Sequence, residues 1–143
     1  MKSKYFKIEE LVCRHVYEKF GDKAWMFIDD RLIETLNLLR EKILGVPMII
    51  NTWKDGGGYS QRGLRCNRCQ IVREKTSPYL SAHILGKGVD FNAAGMTADE
   101  VRSEIIKAQV LLPWPIRLEK GVSWVHLDVY DSGNGEKITL FSA

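Results

Sequence analysis

The alternation of apolar and polar residues over residues 123–130 is the feature that most constrains how this chain folds. Apolar side chains occupy every second position, at Val125, Leu127 and Val129. The positions between them carry Trp124, His126 and Asp128. Since successive side chains of a strand point to opposite faces, we predict a strand with one face in the core and with His126 on the other face.

Residues 87–92 show the same two-residue period. Val89 and Phe91 fall on one side of the segment, and Gly88 and Asp90 fall on the other. This pattern predicts a half-buried strand with Asp90 on its open face.

Three further strands and four helical segments are predicted from apolar spacing and from the residues that end each run. The further strands are residues 46–51, 116–119 and an edge strand at 137–141. The helical segments are residues 7–20, a helix capped by Asp30 and ended by Gly45, residues 60–74, and a helix that begins at Thr97 and stops before Pro113. The order of these elements predicts an α+β domain with a small, mostly antiparallel sheet.

The length and charge of the chain narrow the class of protein. At 143 residues we expect one domain, residues 1–143, whose core needs no disulfide. A net charge of +3 and a pI near 8.8 suit an anionic polymer such as a cell wall, but they are too weak to indicate nucleic acid. No apolar run is long enough for a membrane span, and the N-terminal residues lack the apolar stretch of a secretory signal. We therefore expect a protein that is made in the cytoplasm and that needs a separate means of release if it acts outside it.

The three cysteines are an odd number, which argues against a full disulfide framework. Cys66 and Cys69 form one CxxC pair, and reduced thiols are the simplest interpretation. A four-ligand metal site needs two more ligands, which Cys13 and His15 could contribute. The competing interpretation is that the cysteines of a helix at 60–74 are packing residues.

His83, Asp90 and His126 are the candidate metal ligands. Two imidazoles and one carboxylate form a three-ligand zinc set that leaves a fourth position open for water, which suits a hydrolase better than a structural clip. Gly86 and Gly88 lie between His83 and Asp90, and they let the backbone turn so that the two side chains converge. Asp128 shares a strand face with His126 and is expected to orient that imidazole.

The segments that carry these residues resemble the signatures of a known family. Ser81-Ala-His83-Ile-Leu-Gly86-Lys-Gly88-Val-Asp90 and Trp124-Val-His126-Leu-Asp128 are similar to the SxHxxGxAxD and WxHxD motifs of the M15 zinc peptidases. These are the D-Ala-D-Ala peptidases and phage endolysins, whose fold is shared with the hedgehog signalling domain. Gly88 stands where alanine is usual. Residues 49–52, followed by glycines and an arginine, look like a loosened form of the family's substrate-binding strand and turn, so the similarity spans roughly residues 30–130.

The resemblance implies a hedgehog-like fold, zinc on His83, Asp90 and His126, and a peptidoglycan stem peptide as the substrate of a phage or prophage lysin. Such a lysin is expected to be a monomer that acts on the wall after release or as part of a phage particle. Many members carry the catalytic glutamate three residues before the last histidine, where this chain has Ser123. Glu119 is the nearest upstream carboxylate and is therefore the expected base.

The substrate-binding residues are predicted from the same resemblance. Arg62 or Arg65 is expected to hold an oxyanion or a substrate carboxylate, with Arg62 preferred because it lies nearer the glycine loop. Ser81 is expected either to hydrogen-bond substrate or to cap the turn before His83. Trp124 is expected to pack beside the site.

Two other functions stay open at this point. The first is a non-catalytic, zinc-containing cell-wall-binding module of the same fold, which the missing glutamate at position 123 favours. The second is a metal or nucleic-acid module centred on the CxxC pair, which the modest charge disfavours. A peptidase could cut an L-Ala-D-Glu bond, a D-Ala-D-Ala bond or a cross-bridge.

Overall fold

Five short strands form one sheet in the computed structural model, which describes residues 1–143. The strands are β1 (Met48–Ile49), β2 (Gly88–Ala93), β3 (Ile116–Glu119), β4 (Val125–Asp128) and β5 (Ile138–Phe141). Their order across the sheet is β1-β2-β4-β3-β5. The neighbours are antiparallel except β3 and β5, which are parallel, so the sheet is mixed. The predicted α+β class is confirmed, and β5 lies at the predicted edge.

The register of β2 against β4 decides which side chains meet. Asp90 is the direct partner of His126, and Gly88 is the direct partner of Asp128. Cross-strand partners point to the same face of a sheet. The two strands therefore bring Asp90 and His126 together on one face, as the alternation predicted.

That face is covered, not open as the sequence suggested. Asp90 is 9% exposed, His126 is 7% exposed and Asp128 is completely buried. The His83 ring lies 5.2 Å from the His126 ring, and the Gly63 carbonyl contacts His83 from the outer side. Residue 62 lies along the edge of β2, where Asp90 N–H donates to Arg62 O. Phe141 of β5 packs against the His126 ring at 5.7 Å. The expectation of an open face failed because local alternation cannot show that His83 and Phe141, from other segments, pack against the strand.

The chain also contains five α-helices. They are α1 (Ile8–Leu11), α2 (Arg14–Phe20), α3 (Asp30–Leu38), α4 (Gln70–Arg73) and α5 (Ala98–Lys107). Turns of 3-10 helix occupy Gly21–Phe27, Trp53–Asp55 and Gln109–Leu111, and a π-helical turn, Leu39–Ile43, extends α3. The cap of α3 is Asp29, whose carboxylate accepts from Arg31 N–H, and not Asp30. Thr97 and Glu100 form the predicted capping box of α5.

Most of the predicted helix at 60–74 does not form. Only Gln70–Arg73 is helical, because the backbone before it bonds to other parts of the chain. Leu64 pairs with Val12 in an isolated parallel bridge, and Arg65 N–H donates to His83 O at 3.2 Å. A side chain at Gly63 would overlap the Leu11 backbone. These tertiary contacts take the groups that a helix would use.

One hydrophobic core lies on the other face of the sheet. It comprises 29 buried apolar residues, among them Phe91, Leu118, Leu127, Leu32 and Ile105. Helix α5 packs across β2 and β4 on this side. None of the helices is long and apolar enough to cross a membrane.

Candidate metal centre

His83, Asp90 and His126 meet at one point although they come from three separate parts of the chain. Their ligand atoms all lie within 4.8 Å of one another. Asp90 and His126 are placed by the pairing of β2 with β4, and His83 comes from the turn before β2. Gly86 makes that turn with a φ of +67°, and a side chain there would overlap the Phe27 carbonyl, so glycine is required.

The distances within the group are those of a small polar cage. His126 Nδ1 lies 2.8 Å from Asp90 Oδ1, and His83 Nε2 lies 3.4 Å from Asp90 Oδ2. The two imidazole rings are 5.2 Å apart between centroids. A tetrahedral zinc ion with nitrogen and oxygen ligands at about 2.0 Å holds those ligands roughly 3.3 Å apart, so the three donors are spaced to share one ion.

The outward-facing nitrogen of each histidine has its own partner. His83 Nδ1 lies 2.9 Å from Gly63 O, and because a carbonyl only accepts, Nδ1 carries the proton and leaves Nε2 facing Asp90. His126 Nε2 lies 2.7 Å from Asp128 Oδ2. Arg117 donates two hydrogen bonds of 2.8 Å to that carboxylate. Such outer partners fix the orientation of metal-binding imidazoles.

Burial and hydrogen bonding set the protonation of the group. Burial alone would raise the pKa of Asp90, but hydrogen bonds from His126 and His83 outweigh it and hold that pKa far below its usual value. Burial alone would lower the pKa of His126, but hydrogen bonds to Asp128 and Asp90 raise it to about 9. Both carboxylates are therefore ionised at neutral pH, and His126 carries a proton when no metal replaces it.

A polar cleft of about 480 Å³ opens beside Asp90. It is lined by Gly58, Tyr59, Ser60, Gln61, Arg62, Arg65, Ile71, Asp90, Asn92, Ser123 and Trp124. Four predicted residues thus line the same cleft: the ligand Asp90, both candidate arginines and Trp124. Ser123, the position where many M15 peptidases carry the glutamate, lines it too.

Arg62 carries a buried charge with only neutral partners. Its guanidinium donates to Asn92 Oδ1 at 2.7 Å and to Ile49 O at 3.4 Å, and it stacks on the Tyr59 ring at 4.2 Å. No carboxylate lies within salt-bridge distance of it. Burial lowers the pKa of Arg62, but an arginine stays charged. The charge is therefore available to an anionic group in the cleft.

Arg65 and Ser81 are placed differently. Arg65 donates to Asp90 Oδ2 at 3.4 Å, to Tyr79 Oη at 2.9 Å and to Gln61 O, so its charge faces the Asp90 carboxylate. Ser81 Oγ is buried and has no hydrogen-bond partner. The turn before His83 is closed by the Ser81 carbonyl, which accepts from Ile84 N–H, and not by the hydroxyl.

Glu119 is not part of the three-ligand group and does not line the cleft. Leu118 of β3 pairs with Leu127 of β4, so the next residue of β3, Glu119, lies opposite His126. It therefore shares the face of Arg117, which contacts Asp128. Its carboxylate makes no ion pair or hydrogen bond.

Sequence reasoning missed three contributors to the site. Arg117 fixes Asp128, Asn92 holds the Arg62 guanidinium, and the Gly63 carbonyl orients His83. The alternation of residues 116–119 could have indicated Arg117, because it puts this residue on the polar face of β3. No local pattern pairs Arg117 with Asp128 or Gly63 with His83, because these contacts join segments far apart in sequence.

A second group of potential metal ligands lies outside the cleft. Cys13, His15, Cys66 and Cys69 place their ligand atoms within 4.8 Å of one another, so this part of the chain could hold a metal ion. A hydrogen bond from Cys69 lowers the pKa of the Cys13 thiol to about 5 and raises that of Cys69. The expected helix around the CxxC pair is wrong, because Cys66 lies in a loop and Cys69 only caps α4. The expectation that these cysteines pack is confirmed, since Cys69 is buried in the core and Cys66 packs against it.

Comparisons with known proteins found no matching protein-family model, no matching curated protein and no matching solved structure.

Proposed function

We propose that this protein is a zinc peptidase that hydrolyses peptide bonds in the stem peptides of bacterial peptidoglycan, as a phage or prophage lysin similar to the M15 peptidases. The observation that carries the proposal is the convergence of His83, Asp90 and His126 on one point. Of the three, Asp90 lines a cleft that also holds two arginines. With it we propose that the α+β architecture is of the hedgehog and D-Ala-D-Ala peptidase type. A sheet with three antiparallel pairings and helices on its core side is compatible with that fold.

The donor set fits zinc. His83 Nε2, His126 Nδ1 and the Asp90 carboxylate would hold the ion, while Gly63 O and Asp128 hold the other ring nitrogens. Two imidazoles and one carboxylate are a ligand combination of catalytic zinc sites, which keep one position open. Zinc held there supplies the Lewis acidity that activates water near neutral pH and polarises a scissile carbonyl.

Arg62 is the residue we assign to substrate binding. Stem peptides carry free carboxylates, and Arg62 presents a charge that no protein carboxylate neutralises. A planar guanidinium can bind a carboxylate through two parallel hydrogen bonds. Arg65 instead donates to the Asp90 carboxylate and helps to position it, and the Ser81 hydroxyl is buried and does not line the cleft.

Glu119 is the base we propose. The sheet carries three carboxylates on its polar face, Asp90, Asp128 and Glu119. Asp90 binds the two histidines and Asp128 is held by Arg117, so only the Glu119 carboxylate is uncommitted. In this role it accepts a proton from the attacking water and delivers it to the leaving amine.

The test is digestion of purified sacculi by the zinc-loaded protein. We expect new amines, and mass analysis of the released muropeptides identifies the bond that is cut. Glu119→Ala should lower the rate at least about 100-fold and leave bound zinc unchanged, because general acid–base catalysis contributes roughly that much. Glu104→Ala, on the outer surface of α5, is the matched control and should retain activity.

A cell-wall-binding module of the same fold is the second candidate. It is favoured by Ser123, which lines the cleft at the position where many M15 peptidases carry their glutamate. If the zinc-loaded protein sediments with sacculi from several envelope types but cleaves none of them, the module replaces the peptidase. If the protein cleaves sacculi and Glu119→Ala cleaves them equally fast, the peptidase stands and Glu119 is not its base.

A further inference from the structure

Two distant parts of the chain meet at four side chains that the peptidase proposal does not use. Cys13 and His15 lie at the start of α2, and Cys66 and Cys69 flank the turn before α4. Cys13 and Cys69 are buried and Cys66 is half-buried, while His15 closes the group at the surface. All three cysteines of the protein are in this group, and all are free thiols.

The spacing of the four ligand atoms matches one zinc ion. Cys13 Sγ lies 3.6 Å from Cys66 Sγ, and His15 Nδ1 lies 3.7 Å from Cys66 Sγ and 3.9 Å from Cys69 Sγ. Around a tetrahedral zinc ion with Zn–S distances near 2.3 Å, sulfur ligands lie roughly 3.8 Å apart. Three thiolates and one imidazole are a common structural zinc set with no open position.

The backbone around Cys66 is arranged to support a thiolate. Arg68 N–H donates to Cys66 Sγ at 3.4 Å, and Cys69 N–H donates to Cys66 O at 3.1 Å. The turn thereby directs both sulfurs of the CxxC pair to the same side. A backbone donor to a ligating sulfur is the outer-shell contact that orients and tunes metal ligands.

We propose that Cys13, His15, Cys66 and Cys69 form a second, structural zinc site that fastens the N-terminal helices to the loop of residues 62–69. This inference does not rest on the proposed peptidase function.

The loop that this zinc would fasten also frames the first site. Arg62 O accepts from Asp90 N–H, and the Gly63 carbonyl accepts from His83. Arg65 N–H donates to His83 O. Between Gly63 and Cys69 the loop has no helix or strand of its own, and the Val12–Leu64 bridge joins it to the N-terminal segment. A metal clip at the neighbouring Cys13 and Cys66 adds a second connection between the same two segments and keeps the His83 side of the first site in place.

The experiment is a zinc count on the full chain, purified reduced in zinc-containing buffer, together with the absorption spectrum after cobalt replacement. We expect two zinc ions per chain and a thiolate-to-cobalt charge-transfer band. Cys66→Ser should retain one zinc, lose the band and lower the thermal midpoint by roughly 10 °C or more. His126→Ala is the matched control: it should also retain one zinc, but it should keep the band.

His15 gives a variant that tests the site even if Cys66→Ser fails to fold. The side chain is exposed, so His15→Ala should fold, and it should bind the second zinc at least about 10-fold more weakly. His15→Cys should restore it as a four-cysteine site. The proposal is overturned if the wild-type protein holds one zinc and shows no charge-transfer band, or if its three thiols react with a thiol reagent equally fast with and without zinc.

Discussion

Each ring nitrogen of His126 faces a buried carboxylate, Asp90 on one side and Asp128 on the other. The two negative charges favour the imidazolium form and raise the pKa of His126 to about 9. A metal ion at Nδ1 must displace that proton, so metal and proton compete for this residue.

This arrangement predicts how the metal-free protein responds to pH. Because the folded pKa of His126 lies above its ordinary value of 6.5, its contribution to stability is complete below pH 6.5 and is lost as the pH rises through 9. The loss is at most about 3 kcal/mol. Unfolding in chelator, compared with His126→Gln at each pH, isolates this titration from that of the cysteines. Equal pH dependence in both proteins between pH 6.5 and 9 would contradict it.

The two candidate arginines show what position in the structure adds to residue type. Both follow the glycine loop and both line the cleft. Arg65 contacts Asp90, whereas the hydrogen bonds of Arg62 go to Asn92 and the Ile49 carbonyl. From the sequence, Arg62 was preferred only because it lies nearer the glycine loop. The absence of a carboxylate partner for its guanidinium follows from the tertiary structure.

At the scale of elements, helix α5 holds the turn between β3 and β4 through one residue. Arg102 is buried, and its guanidinium donates to the carbonyls of Val122 and Trp124 at 3.0 Å each and to the Asp99 carboxylate. The turn contains Ser123 and Trp124, which line the cleft. Arg102 thus connects the packing of the helix to the shape of the site.

Arg102→Leu should lower the free energy of unfolding by about 2 kcal/mol, because the two carbonyls lose their donors while the side chain keeps a similar volume. Arg14→Leu is the control, since Arg14 makes only an exposed pair with Glu18 and should cost less than about 0.5 kcal/mol. Denaturant unfolding measures both variants. Equal losses would mean that Arg102 does not hold the turn.

The element that the sequence misassigned is the segment of residues 60–74. Its apolar spacing is typical of a helix, yet Leu64 bridges to Val12 and only four residues near the end are helical. The strands were predicted better. An alternating strand can bury its apolar side chains only by turning that one face to the core. The segment of residues 60–74 instead forms backbone hydrogen bonds with two other segments, and its own sequence does not specify those bonds.

At the scale of the whole molecule, neither metal group exists until distant segments have packed. The first joins a turn to two strands, and the second joins α2 to the loop before α4. Since the unfolded chain holds neither arrangement, binding of a metal ion at either group would be coupled to folding.

This coupling predicts how the free energy of unfolding depends on the concentration of free zinc. Above saturation, each tenfold increase in free zinc should raise the free energy of unfolding by up to about 1.4 kcal/mol per occupied site. The wild-type protein should therefore show about twice the slope of His126→Ala or of Cys66→Ser. Denaturant unfolding in zinc buffers measures it. If all three proteins showed the same slope, the wild-type protein could not have two sites that bind zinc only in the folded chain.

The sequence by itself determined the strand alternation, the α+β class and the face of its own strand on which Asp90 and His126 each lie, because side-chain period is a local property. The pairing of β2 with β4, which brings these two residues together, belongs to the tertiary structure. The tertiary structure alone decided that this face is covered, that Arg117 and Gly63 hold the outer nitrogens, and that Arg62 keeps a free charge. It also decided that Cys13 and His15 meet Cys66 and Cys69. Each of these results depends on a contact between segments 20 residues or more apart, or on a contact between adjoining strands. Only the fold sets such contacts, and no local sequence pattern specifies them.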